Sequence, residues 1–215
     1  MTIEKAESEG QGQEPRSDQR RRAILRAAAE IFMRDGYVGT SMDEIAAAAS
    51  ASKQTVYKHF TDKESLFTEL VVSTVKEVSG RVHDEAIDLR DTDDLESDLR
   101  RVAHRQLEQV MTPEVISLRR LVIGEGRRFP GLAMTFFELG PLRTIDTLAS
   151  SFDHLARRGL LSLGDAQVAA EHFNWLTMST PLARAMFLGM DKPDGAELEH
   201  YADEAVRVFL AAYGV

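Results

Sequence analysis

With 215 residues, 43% of them hydrophobic and 28% charged, the chain has room for one large domain or for a small one attached to a larger. It contains no cysteine, which excludes a disulfide framework, a thiolate metal site and a cysteine nucleophile, and points to a reducing compartment. No apolar run approaches the roughly 18 residues of a membrane span, and Met1-Thr2-Ile3-Glu4-Lys5 lacks the apolar core of a signal peptide. The expectation is a soluble, cytoplasmic protein with no membrane partner.

A net charge of -9 argues at first against nucleic acid, because phosphate binding is driven by Lys and Arg displacing counterions. Divided along the chain, the charge says otherwise. Residues 1–15 carry -3, residues 16–63 carry +3 and the remainder carries -9. A small basic module precedes a large acidic body.

Taken in order, residues 1–15 are rich in Glu, Gln, Gly and Ser, too polar to offset the ordering entropy of a fold, and are expected to form a disordered leader. From Ser17 the pattern becomes helical: Ile24, Ala27, Ala28, Ile31 and Phe32 share one face of a helix expected to end at Gly36 as a left-handed cap. Ser41 with Glu44 predicts a capping box, Ser52 a second cap, and Thr61 with Glu64 another capping box. Two helices of about two turns therefore lie between Ser41 and Phe60, joined at Ala49-Ser50-Ala51, the spacing of a helix-turn-helix. Too short to persist alone, they are expected to bury Ile45, Val56 and Phe60 against the helix that begins near Arg20.

From Asp62 onward the periodicity is helical throughout. It predicts helices over about 62–82, 93–111, 114–127, 131–157, 165–189 and 195–212, with Gly140-Pro141 kinking or splitting the fourth. Asp91-Thr92-Asp93-Asp94 reads as a loop ending in a helix N-cap. The fold expected is all-α, with about nine helices arranged as an N-terminal three-helix module followed by a larger bundle.

The order Asp35-Gly36-Tyr37, Thr40-Ser41-Met42, Ile45-Ala46, Ser52-Lys53-Gln54-Thr55-Val56-Tyr57-Lys58-His59-Phe60 and Lys63-Glu64-x-Leu66-Phe67 resembles the DNA-binding domain of TetR-family transcriptional regulators. A second run, Arg119-Arg120-Leu121-Val122-Ile123, Arg128-Phe129-Pro130 and Arg158-Gly159-Leu160-Leu161, resembles the C-terminal domain of the AefR-like branch. The resemblance implies a helix-turn-helix DNA-binding domain over 16–64 and a helical ligand-binding and dimerisation domain over 65–215.

Independently of the resemblance, turning Val56 and Phe60 inward leaves Lys53, Gln54, Thr55 and Lys58 outward near the start of the second short helix, where base edges are read. Gln pairs with adenine, Lys reaches guanine, and the Thr methyl meets that of thymine. The resemblance assigns phosphate contacts to Tyr57, His59, Lys63, Thr40 and Ser41, and Arg20, Arg21 and Arg22 are further candidates for backbone or minor-groove contact. The bland alternative makes Lys53 and Lys58 a solvated face, and Thr40 and Ser41 mere caps.

In the body, Phe67, Leu99, Leu107, Val122, Phe129, Phe136, Phe137, Trp175 and Met178 are candidates to line a cavity for a small apolar effector, against the alternative that they simply fill the core. Arg119, Arg120, Arg127 and Arg128 either hold an anionic group or pair with carboxylates. The last two helices, about 165–212, carry apolar residues on more than one face, and the resemblance implies a homodimer joined there.

An enzyme is the rival class. Glu197-x-x-His200 has no second such motif, the six histidines are dispersed, and Gly124-Glu125-Gly126 follows no strand, so no catalytic, metal or cofactor site is expected. The expected function is that of a regulator bound to a double-stranded operator, a repressor released by a small molecule, with an activator or ligand-independent regulator as the alternative.

Overall fold

The computed structural model describes residues 16–189 and 194–215; the leader expected over 1–15 lies outside the described residues. In chain order they form α1 (Arg16–Gly39), α2 (Met42–Ala48), α3 (Lys53–His59), α4 (Lys63–Asp88), a 3-10 turn (Leu89–Asp91), α5 (Leu95–Val110), α6 (Pro113–Glu125), α7 (Pro130–Phe137), a π segment (Glu138–Leu142), α8 (Arg143–Arg157), α9 (Ala166–Leu188) and α10 (Gly195–Tyr213). Since α7, the π segment and α8 run on without a break, these are nine helical rods. Among the described residues, extended pairing is limited to one bridge between Leu161 and Gly214. The chain divides into two compact units, with the division between Leu66 and Phe67, inside the first turn of the continuous helix α4.

The first unit is built on local signals. Ile24, Ala27, Ala28, Ile31 and Phe32 are all buried on one face of α1. The first helical stretch ends at Gly36, as expected, at φ 72°, and a short second stretch follows across the kink to Gly39. Only glycine takes that conformation without strain. The break stacks Tyr37 on Phe32, rings 5.9 Å apart and nearly parallel. Ser41 and Glu44 form the expected capping box, with the Glu44 amide donating to Ser41 Oγ at 3.2 Å and the Ser41 amide to Glu44 Oε2 at 3.0 Å. Ser52 caps α3 by accepting from the Thr55 amide at 3.1 Å. The box expected from Thr61 and Glu64 is displaced by one residue: Asp62 Oδ1 accepts from the Ser65 amide at 2.7 Å, and the Asp62 amide donates to Ser65 Oγ at 3.1 Å. A carboxylate one residue further on out-competes the threonine hydroxyl.

In the second unit α5 and α8 both pack against neighbours at the C-terminal end, α5 on α10 and α8 on α9. Phe152, Phe173 and Phe209, all fully buried, form an aromatic triangle with centroids 5.0 to 5.6 Å apart. Asp94 caps α5 by accepting from the Ser97 amide at 3.1 Å, as the acidic run suggested. Gly140-Pro141 does not split its rod but widens it into the π segment, since proline cannot donate the regular bond and the backbone takes a longer one. Gly140 also lets this turn approach α4, because a Cβ there would stand 3.0 Å from Val75 Cγ2.

Candidate nucleic-acid interface and ligand cavity

Sequence places α3 on the surface of the first unit by burying one side of it. Val56 is fully buried and Phe60 nearly so, while Lys53, Gln54, Tyr57 and Lys58 are exposed and Thr55 and His59 half-buried. Thr55 Oγ1 is hydrogen-bonded to Ser52 Oγ at 2.8 Å, which fixes its methyl group. Lys53 Nζ meets Asp43 of α2 at 2.5 Å, both groups well exposed. Such a pair contributes at most about 1 kcal/mol and opens readily to a phosphate or a base.

The other candidates are held to different degrees. Arg20 Nη1 donates to the Ser50 carbonyl at 3.3 Å, and the Arg21 guanidinium lies 5.2 Å from the centre of the Phe60 ring. Both belong to α1 rather than to an extended arm, and Arg22 is exposed on the same helix. Thr40 is buried and its hydroxyl donates to the Gly36 carbonyl at 2.7 Å; Ser41 is exposed but occupied by its capping box. Lys63 is half-buried and donates to the Tyr37 and Thr40 carbonyls, each at 2.8 Å. The structure thus gathers Lys53, Gln54, Thr55, Tyr57 and Lys58 on one short helix, and ties Arg20, Arg21, Thr40 and Lys63 into the scaffold around it.

The second unit holds an apolar cavity, partly open to solvent, between α4, α5, α6, the α7–π–α8 rod and α9. Its wall is mostly Val75, Val78, Val110, Val115, Leu118, Phe136, Pro141, Trp175, Met178 and Leu182. Of the expected lining residues, Phe136, Trp175 and Met178 are there. Leu99, Leu107 and Val122 are buried elsewhere in the core, Phe137 is exposed, and Phe67 packs on Phe129 at 5.9 Å without lining this cavity. The polar lining is Thr74, Ser79, Gln106, Arg119, Thr144 and Asn174. Gln106 Nε2 donates to Asn174 Oδ1 at 2.7 Å, both side chains buried. Burial pushes the Arg119 guanidinium down from its ordinary value. Gln106 escaped the sequence reading although a signal was present: it is a polar residue on the buried face of α5, between Ala103 and Leu107.

Residues 97–215 match the model of the AefR-like transcriptional repressor C-terminal domain, and residues 24–70 that of bacterial regulatory proteins of the tetR family. The chain belongs to the TetR family. It is a DNA-binding transcriptional regulator, in a family whose members bind DNA, dimerise and bind small ligands. A TetR-family transcriptional regulator from Mesorhizobium loti MAFF303099 superposes with TM-score 0.87 at 43% identity, covering 94% of this chain and all of that one. The flavonoid-responsive regulator FrrA superposes with TM-score 0.70 at 29% identity, over 92% of this chain and 98% of its own. The uncharacterized HTH-type transcriptional regulator YhgD of Bacillus subtilis (strain 168) is 39% identical over 69 residues, which is 32% of this chain and 36% of YhgD. The chain therefore matches about a third of that relative's length. No helix among the described residues is long and apolar enough to cross a membrane.

Proposed function

We propose that this TetR-family chain is a repressor that leaves its operator when a small molecule fills the cavity of the second unit. The observation that carries the reading is the cavity itself: Thr74, Val75, Val78 and Ser79 in its wall belong to α4, the helix that starts at Lys63 in the first unit. An occupant that fits one arrangement of α4 better than another shifts the population between them and changes operator affinity by the ratio of its two affinities. The likeness of residues 97–215 to an AefR-like repressor domain supports repression, and the likeness to FrrA, a flavonoid-responsive regulator, supports a small-molecule effector.

On this reading α3 enters the major groove, with Lys53, Gln54, Thr55 and Lys58 at base edges. Tyr57, His59, Lys63, Thr40 and Ser41 grip phosphates, and Arg20, Arg21 and Arg22 add backbone contacts. The head spans 16–64 and the body 65–215. A homodimer forms through α9 and α10, supported by the exposure of Val168, Phe187, Leu188 and Val208 on helices that also bury an apolar face. Its two-fold axis sets two recognition helices one DNA turn apart, about 34 to 36 Å.

The test begins by mapping genomic DNA bound by the native protein, which yields the operator and the neighbouring genes. Small molecules handled by those genes' products are then titrated into the labelled operator complex. Release by one of them, with transcription rising in its presence, is the expected result. An operator affinity unmoved by all of them, or transcription that falls when the regulator is deleted, would overturn it.

A further inference from the structure

Several arginines in this acidic chain find carboxylates, Arg100 with Glu96 and Asp203, Arg101 with Asp98, Arg184 with Glu197 and Arg207 with Glu204, and Arg90 and Arg158 find hydroxyl or carbonyl oxygens. Arg119 does not. It lines the apolar cavity from α6 and, among the described residues, has neither an ion pair nor a hydrogen bond; its Nε is buried and unmatched. Its one close partner is the Phe136 ring, 5.5 Å from the guanidinium carbon. A ring face offsets only part of the cost of taking a cation out of water. A guanidinium left in this state in a chain with 35 acidic residues is a group whose partner comes from outside the chain.

A second unmatched atom lies in the same wall. Gln106 gives one amide proton to Asn174 Oδ1 at 2.7 Å, yet its Oε1 is buried with nothing to accept from. Buried polar atoms are nearly always paired, so this acceptor calls for a donor as Arg119 calls for an anion. The rest of the wall is aliphatic and aromatic, with Trp175 and Phe136 offering flat faces. Arg120, the next cation in sequence, is not part of the wall, so the site balances a single negative charge.

We infer that the cavity binds an amphipathic hydroxycarboxylate, its carboxylate on Arg119, its hydroxyl donating to Gln106 and its apolar body between Trp175, Phe136 and Met178. This rests on the reading of the cavity as the effector site and names the class of molecule it takes. Discrimination follows from what each mismatch leaves behind: a neutral analogue leaves Arg119 without an anion and its buried Nε unmatched, and a ligand without the hydroxyl leaves Gln106 Oε1 unpaired.

Trp175 is the only tryptophan of the chain and lines the cavity, so its fluorescence reports occupancy directly. The protein is titrated with para-hydroxyphenylpropanoate, with its neutral amide and with phenylpropanoate, exciting at the red edge of the indole band where the phenol is transparent. The hydroxyacid is expected to bind about tenfold or more tightly than the amide, a preference abolished in Arg119→Met, and several-fold more tightly than phenylpropanoate, a preference abolished in Gln106→Leu. If Arg119→Met does not fold by circular dichroism, Arg119→Gln replaces it, and the wild-type ratio of acid to amide decides on its own. Equal binding of acid and amide, a preference that survives loss of the guanidinium, or no binding of any probe at millimolar concentration would overturn the inference. Operator release is followed in the same titrations: binding with the predicted preferences but no release defeats the release reading alone, whereas release by a molecule whose binding ignores its charge and Arg119 defeats this one.

Discussion

Lys63 holds Tyr37 twice: its ammonium lies 4.5 Å from the centre of the phenol ring and donates to the Tyr37 carbonyl at 2.8 Å. A further bond of the same length runs to the Thr40 carbonyl. A lysine expected only at a DNA phosphate therefore also closes the tail of α1, where unpaired carbonyls and the negative end of the helix dipole favour a cation. One ammonium proton remains for a phosphate. Lys63→Met should lower the stability of the DNA-free protein by about 1 to 3 kcal/mol. It should also reduce the slope of log affinity against log salt by about 0.9. Urea unfolding and operator titration at several salt concentrations read the two effects separately, and a slope left unchanged would remove Lys63 from the phosphate contacts.

Gln54 occupies a different position from its neighbours on α3. Lys53 is engaged with Asp43 and Thr55 with Ser52, whereas Gln54 is exposed and, among the described residues, makes no side-chain hydrogen bond. It holds nothing in place and is free to read a base. Gln54→Ala should leave the melting temperature within about 2 °C, since exposed substitutions of this kind shift stability by under about 0.5 kcal/mol. Discrimination at one base pair of each half-site should fall by about 1 to 3 kcal/mol. Competition between the operator and its single-base variants measures this, and an unchanged preference at every position would take Gln54 off the base edges.

What could be read in the sequence and what could not divide along the reach of the interactions. Ser41 with Glu44 and Ser52 with Thr55 act across three residues, and their bonds form where the spacing places them. The cap of α4 slipped by one residue because Thr61 and Asp62 both qualify and only their competition decides. Gly36 was legible as a break, but a resumed turn to Gly39 depends on Tyr37 finding Phe32. The cavity was the hardest to see. Periodicity assigns Leu99, Gln106 and Leu107 alike to the buried face of α5, but which of them borders an opening depends on the helices opposite, and only Gln106 does.

Val168 on α9 and Val208 on α10 are 42% and 40% exposed, although both helices already bury a full apolar face within the chain. In the proposed homodimer these valines lose their water. Val208→Glu places a carboxylate in that interface without a designed partner, at a cost of several kcal/mol across two symmetry-related copies. The dimer dissociation constant should rise by about 100-fold or more. Sedimentation over a concentration series should show monomer where the wild type is dimeric, and operator affinity should fall although α3 is untouched. A Val208→Glu protein that stays dimeric would move the interface elsewhere.

Arg119 bears on stability as well as on binding. A cation in an apolar wall without a counter-ion raises the free energy of the ligand-free fold, and a methionine of similar length keeps the packing of the stem while removing the charge. Arg119→Met should therefore stabilise the empty protein by about 1 kcal/mol or more, the sign that marks a group retained for function. Ligand reverses the order. At a hydroxycarboxylate concentration near 100 times its dissociation constant, the wild type should gain about 2.7 kcal/mol. The variant, binding more weakly, should gain little, so its advantage without ligand should disappear as ligand is added. Urea unfolding of both proteins with and without para-hydroxyphenylpropanoate checks the crossing. An Arg119→Met protein less stable than wild type in both conditions would assign the guanidinium a structural partner instead.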